Sequence, residues 1–519
     1  MTTLRNRLEA ALVNSSATAL AGATCAIFCW SLSGCQTTDR LEAAPDASPV
    51  GDAATLEHVQ QALVPTEAVE EIGTLKGKDA PELGNIEWFV RDRKQAIALG
   101  KALFWDQQAG SDGIQACGVC HSNAGADARR KNQLNPGTRH TEADVIPPTF
   151  TTMASGGSGG PNYTLVDSDF PFHQLADPAD RNSVVLFDSD DVVGSAGLAL
   201  RDFNSVTKGQ AVDDCDIVND DLFHVGGLNV RQTTPRNVPT MINAIFNKRT
   251  MWDGRGNAIF NGVDPFGLRN PDAKIYVADG SGNISPLQIA LGSGGPGSQT
   301  VGPAPDSVEM SCRNRKFSDI GRKLLWTRPL KTQMVDKTDS VHAEFRHSTG
   351  LGLNHEYARY VRKAFYPKYW KSGNDVDGYQ LIEANFNLFW GIAIHLYEAT
   401  LVSDQTPFDE FLQGKHGALS EQQRDGLDVF VGEGQCIDCH SSPLLSDASV
   451  FAAERKGLVR RIAMADGGTA LVDTGFANIG VRPTKEDIGL GGNDPWGNPI
   501  SFSAQLVEVA NGGTTVDPF

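Results

Sequence analysis

Two cysteines spaced two residues apart, with a histidine directly after, occur twice in this chain. Cys117, Cys120 and His121 stand in "IQACGVCHSN", and Cys436, Cys439 and His440 in "GQCIDCHSSP". A structural zinc ribbon would draw on four sulfurs and need neither histidine. A thioredoxin-like redox motif would sit in a βαβ pattern, and no such pattern surrounds either stretch. Cys-x-x-Cys-His is instead the attachment pattern for a c-type haem. One helical turn presents both thiols to the vinyl groups at the porphyrin edge and aims the imidazole beneath the metal. The chain therefore predicts two covalently bound haem c groups, with His121 and His440 as iron ligands, and must fold two pockets around them.

The flanks of the two motifs are alike. Before the first, "RDRKQAIALGKALFWD" (91–106) puts Ala96, Ile97, Leu99, Leu103 and Phe104 largely on one helical face. Before the second, "LSEQQRDGLDVFVGEG" (419–434) does the same with Leu427, Phe430 and Val431, and Ser420 is placed to cap the helix. Between them, "DGYQLIEANFNLFWGIAIHLYEATLV" (377–402) reads as one long apolar helix whose Trp390 and His395 belong to a core. "TPFDEFLQG" gives a short capped helix leading into the second unit. The expected fold is mainly α, two cytochrome-c-like haem domains with long loop insertions. Residues 85–405 would form the first domain and 406–519 the second.

The formal charge of −18 over 519 residues, with no block of lysine and arginine, excludes nucleic acid as a partner and suits a basic protein. Arg5 and Arg7 precede a weakly apolar run from Ala17 to Trp30 that is short for a membrane span. Residues 1–34 read as a secretory signal, and "LSGC" ending at Cys35 is similar to the bacterial lipobox, which would make Cys35 a lipid anchor in the periplasm. Residues 35–84, rich in Ala, Asp, Glu and Pro, read as a linker. Of nine cysteines, only Cys215 and Cys312 belong to neither leader, anchor nor motif. In an oxidising compartment such a pair reads as a disulfide, the alternative being two separate buried thiols.

Further stretches resemble the bacterial di-haem cytochrome c peroxidase family, which includes the di-haem enzyme of methylamine dehydrogenase maturation. They are "LGKALFWD", "PRNVPTMINAIFNKRTMWDGRG" (235–256), "VGPAPDSVEM" (301–310), "ATLVSDQTPFDEFLQG" and "DTGFANIGV", within residues 85–490. The resemblance implies that hydrogen peroxide meets the first haem and that electrons enter at the second from a small donor protein, a cytochrome c or cupredoxin. It gives Glu309 the role of moving a proton from the proximal to the distal peroxide oxygen, and Trp252 a place between the haems. It gives Asn237 a share in a calcium site. Without the resemblance, Glu309 reads as a surface carboxylate and Trp252 as a core aromatic.

The chain departs from the family in several places. A long insertion separates His121 from Asn237, and another separates "WDGRG" from "VGPAPDSVEM". The family's removable histidine ligand has no clear counterpart, with His140, His173 and His224 candidates by position only. The first haem is therefore expected to be open to peroxide without prior reduction. The second unit is expected to be truncated, with Met464 the nearest methionine after His440. The sequence thus points to an exported di-haem peroxidase. A di-haem oxidase or oxygenase acting on an organic or protein substrate, and a non-catalytic di-haem electron carrier, are the alternatives.

Overall fold

A computed structural model describes residues 72–517 apart from 124–125, 141–144, 152–158, 181, 464–466 and 480–490. The leader, Cys35, most of the linker and Met464 lie outside the described residues. The chain divides into two compact units, Ala80–Val402 and Ser403–Phe519 with the residues up to Asp79.

The first unit is built around two packed helices, Arg93–Trp105 and Phe386–Glu398. Asp92 caps the first by accepting the Gln95 N–H at 3.1 Å. Its apolar side chains, Leu99, Leu103 and Phe104 among them, are buried together with Phe386, Phe389, Trp390, Ile392 and Ile394 of the second. Trp390 is fully buried and donates its indole N–H to Thr300 O at 2.9 Å, and His395 is 1% exposed. Helix Tyr357–Ala364 also packs against Arg93–Trp105.

The single long helix expected over 377–402 is broken. Leu381–Ala384 and Phe386–Glu398 are separate helices, divided at Asn385. That side chain accepts the Tyr276 N–H at 2.8 Å and donates to Tyr276 O at 2.7 Å and Tyr369 O at 2.8 Å. A buried amide so placed competes with helical continuity for backbone partners.

The expectation of a mainly α fold is overturned. The protein is 28% helical and 16% strand, and its named strands pair into eight two-stranded sheets among the described residues. The insertions account for most of them. Their apolar residues come in short runs divided by Gly, Pro, Asp and Asn, too brief to repay a helical nucleus but long enough for hairpins. Four antiparallel pairs arise this way: Arg139–His140 with Val145–Ile146, His173–Leu175 with Val185–Asp188, Arg201–Ser205 with Asp214–Ile217, and His224–Val225 with Leu228–Asn229. Ile275–Ala278 pairs with Ile284–Leu287 in the second insertion.

The Arg201–Ile217 hairpin is fastened to the body of the unit. Cys215 and Cys312 form a disulfide. Asp213 meets Arg315 Nε at 3.0 Å and Lys323 Nζ at 2.9 Å, all three side chains fully buried. Asp202 pairs with Arg313 Nε at 2.6 Å at the surface.

The second unit is smaller. Thr406 caps Pro407–Leu412, and Ser420 caps Glu421–Val431 by accepting the Gln423 N–H at 3.3 Å. A hairpin, Val459–Ala463 with Thr469–Asp473, packs on Phe502–Ala510, where Val459, Phe502 and Leu506 form a small core. Among the described residues no helix is long and apolar enough to cross a membrane.

Candidate active site

Helix Arg93–Trp105 delivers the chain to the first motif. Cys117–Cys120 forms one helical turn, closed by His121 N–H donating to Cys117 O at 3.0 Å. Both thiols are free of disulfide. Gly118 occupies the first variable position because the Trp105 ring lies against it; a β-carbon there would sit 2.3 Å from the ring. The His121 ring lies 6.0 Å from that of Phe104, which in turn lies 5.6 Å from Tyr397. Two free thiols on one turn, followed by an imidazole at its end, fit the donor set of a covalent haem c.

Glu309 sits on a tight loop built around Asp306. Asp306 Oδ1 accepts the N–H groups of Val308 at 2.8 Å and Glu309 at 3.0 Å, and its carbonyl accepts those of Met310 and Ser311 at 3.0 and 2.8 Å. Among the described residues none donates a hydrogen bond to the Glu309 carboxylate. Burial, and then the nearby Asp306 charge, raise that carboxyl to about 8, with Arg255 opposing. Both thiols respond to the Glu309 charge. Burial comes first in pushing Cys120 up to about 11, opposed by Arg129 and assisted by Asp127 and Glu309. Burial also raises Cys117, followed by Glu398 and Glu309. Glu309 thus lies within electrostatic reach of the first motif.

Glu398 was not singled out by its sequence. It ends helix Phe386–Glu398, is 5% exposed, and is raised by burial to about 8. Among the described residues nothing donates a hydrogen bond to its carboxylate. A lone acid closing an apolar helix was the available clue.

Trp252 is 59% exposed, at the tip of a loop closed by Thr250 N–H to Gly256 O at 2.9 Å. Its indole N–H donates to Asn237 O at 2.7 Å. Beneath it Asp253, buried, pairs with Arg255 at 2.6 Å and Arg236 at 3.3 Å. As a large core aromatic Trp252 does not appear; it is a surface indole on a rigid mount. Asn237 turns its amide nitrogen to Asp127 O at 3.4 Å. Among the described residues no group of three or more His, Cys, Asp or Glu side chains could hold a metal ion.

His173 and His224 are exposed on insertion strands, His173 Nδ1 lying 3.1 Å from Asp188. The side chain of His140 lies outside the described residues.

In the second unit, Cys436, Cys439 and His440 are exposed and the thiols are free. His440 Nδ1 lies 3.1 Å from Leu445 O, which leaves Nε2 to face a metal. The buried Asp447 carboxylate accepts from Ser441 at 2.6 Å and pairs with Lys456 at 2.8 Å and Arg460 at 3.0 Å. This donor set also fits a covalent haem c.

Residues 94–165 and 213–417, more than half of the chain, match the family described as di-haem cytochrome c peroxidase. Cytochrome c551 peroxidase of Pseudomonas aeruginosa is 29% identical over 230 residues, 44% of this chain and 42% of that protein. Cytochrome-c peroxidase IdrP2 of Denitromonas iodatirespirans is 50% identical over 54 residues, 10% of this chain and 15% of that protein. Cytochrome c peroxidase Ccp of Escherichia coli is 22% identical over 235 residues, 44% of this chain and 33% of that protein. The chain spans less than half the length of each of these relatives in the matched stretches.

Proposed function

We propose, from the premise that this chain belongs to the di-haem cytochrome c peroxidase family, that it reduces hydrogen peroxide to water at the Cys117–Cys120–His121 motif. The balanced reaction takes one peroxide, two electrons and two protons to two waters. Bound at each motif, haem c supplies the electron chemistry and the iron. What the chain supplies is orientation and the proton.

The observation that carries this reading is the link between the Glu309 loop and the first motif. Leu198 N–H donates to Val308 O at 2.8 Å and Ala196 O lies 3.9 Å from Cys120 Sγ, while burial raises the Glu309 carboxyl to about 8. With burial and the Asp306 charge raising it, this carboxyl holds a proton at neutral pH. It can give that proton to the departing peroxide oxygen and take one from the other, so that water leaves rather than hydroxide. His121 would hold the iron of the haem bound at this motif. Electrons enter at the Cys436–Cys439–His440 motif from a small redox protein, and the acidic surface favours a basic cytochrome c or cupredoxin. Trp252, a solvent-facing indole on a closed loop, serves as a relay for them. Calcium at Asn237 would have to draw on backbone carbonyls, since no acidic cluster accompanies it among the described residues. Export to the periplasm and anchoring at Cys35 complete the proposal.

The test is steady-state turnover of the full-length holoprotein with peroxide and a reduced cytochrome. Glu309→Gln should cut kcat by about 10²- to 10⁴-fold with covalent haem content unchanged. An unimpaired Gln variant would remove Glu309 from the reaction. Absence of peroxide turnover in the parent would leave the electron-carrier reading. Oxidation of an organic or protein substrate in its place would leave the oxygenase.

A further inference from the structure

Residues 166–212 fall between the two stretches that match the family. One segment inside them, Ser195–Leu198, nevertheless lies between the first motif and the Glu309 loop. On one side, Ala196 O is 3.9 Å from Cys120 Sγ and accepts from Gln115 Nε2 at 3.4 Å and Arg129 Nη2 at 3.5 Å. On the other, Leu198 N–H donates to Val308 O at 2.8 Å. Gly197 approaches so closely that a β-carbon would lie 1.8 Å from Val308 O and 2.9 Å from Glu309 Cα. Ala196 is 4% exposed and Leu198 2%.

The segment is itself held from behind. Gly197 N–H donates to Gln232 O at 2.9 Å, and Gln232 N–H returns to Leu198 O at 2.8 Å. The Gln232 amide then reaches forward, donating to Leu198 O at 3.2 Å and to Ser307 O at 3.0 Å. A second anchor holds the far side of Glu309. Ser111, in the loop leading to Cys117, donates its N–H to Met310 O at 2.9 Å. Its hydroxyl accepts the Cys312 N–H at 2.9 Å, and its carbonyl accepts the Asp213 N–H at 2.9 Å. The carbonyls of Val308 and Met310, on either side of Glu309, are therefore fixed, one by the insertion and one by the haem-attachment loop.

We propose that this insertion positions Glu309: Gly197 and Leu198, backed by Gln232, clamp the peptide that carries the carboxyl and fix it relative to the first motif. This rests on the reading of Glu309 given above. Gly197, Leu198 and Gln232 are positioning residues and touch no reacting atom in this scheme. A proton relay needs its carboxyl within hydrogen-bond reach of both peroxide oxygens, and displacements near 1 Å cost about 10²-fold in rate. Two pinned carbonyls restrict the loop on that scale. A segment absent from the family pattern has become part of its catalytic frame.

Two variants test it in the full-length holoprotein. Gly197→Ala drives a methyl into Val308 O. Gln232→Met removes the donor to Ser307 O with no added bulk. The measurements are kcat and KM for peroxide across pH, covalent haem content, and hydrogen exchange of the peptide 303–311. We expect Gly197→Ala to lower kcat by about 10²-fold and Gln232→Met by less. Both should alter the pH profile of kcat and quicken exchange at 303–311, with both haems retained. Gly197→Ala should add nothing to Glu309→Gln, because it acts through that carboxyl. Unchanged exchange and kcat in both variants would overturn the proposal, as would losses additive with Glu309→Gln or losses that follow haem loss at Cys117 and Cys120. Should Glu309→Gln itself leave turnover intact, the peroxidase role of Glu309 fails separately. Hydrogen exchange then still decides whether the clamp exists.

Discussion

The Trp105 indole N–H donates to the Tyr397 hydroxyl at 3.0 Å, joining the helix that delivers the first motif to the helix that ends in Glu398. The same indole fills the space beside Gly118, and Phe104 stands between Tyr397 and His121. One hydrogen bond thus ties the helix that leads to the motif to the helix that ends in a buried acid.

Tyr397→Phe strands the Trp105 N–H in a partly buried setting. Stability should fall by about 1–3 kcal/mol, measured as a lower denaturant midpoint at unchanged slope. An unaltered midpoint would mean that the bond contributes nothing net.

Two covalent haems are expected per chain. Denaturing mass spectrometry should find both retained, one lost in Cys117→Ala/Cys120→Ala and the other in Cys436→Ala/Cys439→Ala. His121→Ala should abolish peroxide turnover while the second haem keeps its spectrum. Release of either group from the parent chain by acidified acetone would contradict covalent attachment.

Asp213 neutralises two fully buried cations, Arg315 and Lys323. Asp213→Asn should destabilise the first unit by about 3–5 kcal/mol, because it removes the carboxylate paired directly with both buried cations. Opening the Cys215–Cys312 loop, whose ends are 97 residues apart, should cost about 4–5 kcal/mol on a chain-entropy basis. Thermal unfolding of Asp213→Asn and of the Cys215→Ser/Cys312→Ser double variant checks both figures. Resistance of the native thiols to alkylation checks the bridge itself.

Burial holds Glu309 and Glu398 at about 8, against an ordinary 4.5. Between those values the folded chain keeps protons that the unfolded chain has released, so stability falls as pH rises. The contribution is fully present below about 4.5 and gone above about 8. Each carboxyl gives a slope of at most about 1.4 kcal/mol per pH unit in that window. Glu398→Gln should flatten the curve by one carboxyl's share. A pH dependence identical to the parent would place the Glu398 titration elsewhere.

The motifs, the helices before them and the core standing of Trp390 and His395 were legible because each depends on local spacing or on a long apolar run. The helix break at Asn385 was not, since it depends on Tyr276 and Tyr369, partners remote in the chain. The hairpins of the insertions were missed for a related reason. Runs of two to five residues carry too little periodicity to separate strand from loop. Glu309 could be named only through the loop that resembles the family, and its raised carboxyl arises from packing that no local pattern records. Glu398 and Gly197 announced themselves even less, because burial and close approach are properties of the assembled fold.

Gly197 has no room for a β-carbon beside Val308, whereas Val184 and Leu186 stand 71% and 67% exposed elsewhere in the same insertion. The two places face different histories. The backbone at Gly197 is part of the wall, and no larger side chain fits there without reshaping the neighbouring loop. The exposed hairpin carries no such constraint on its length or character. Descent along this branch should therefore record many hairpin lengths and a single glycine.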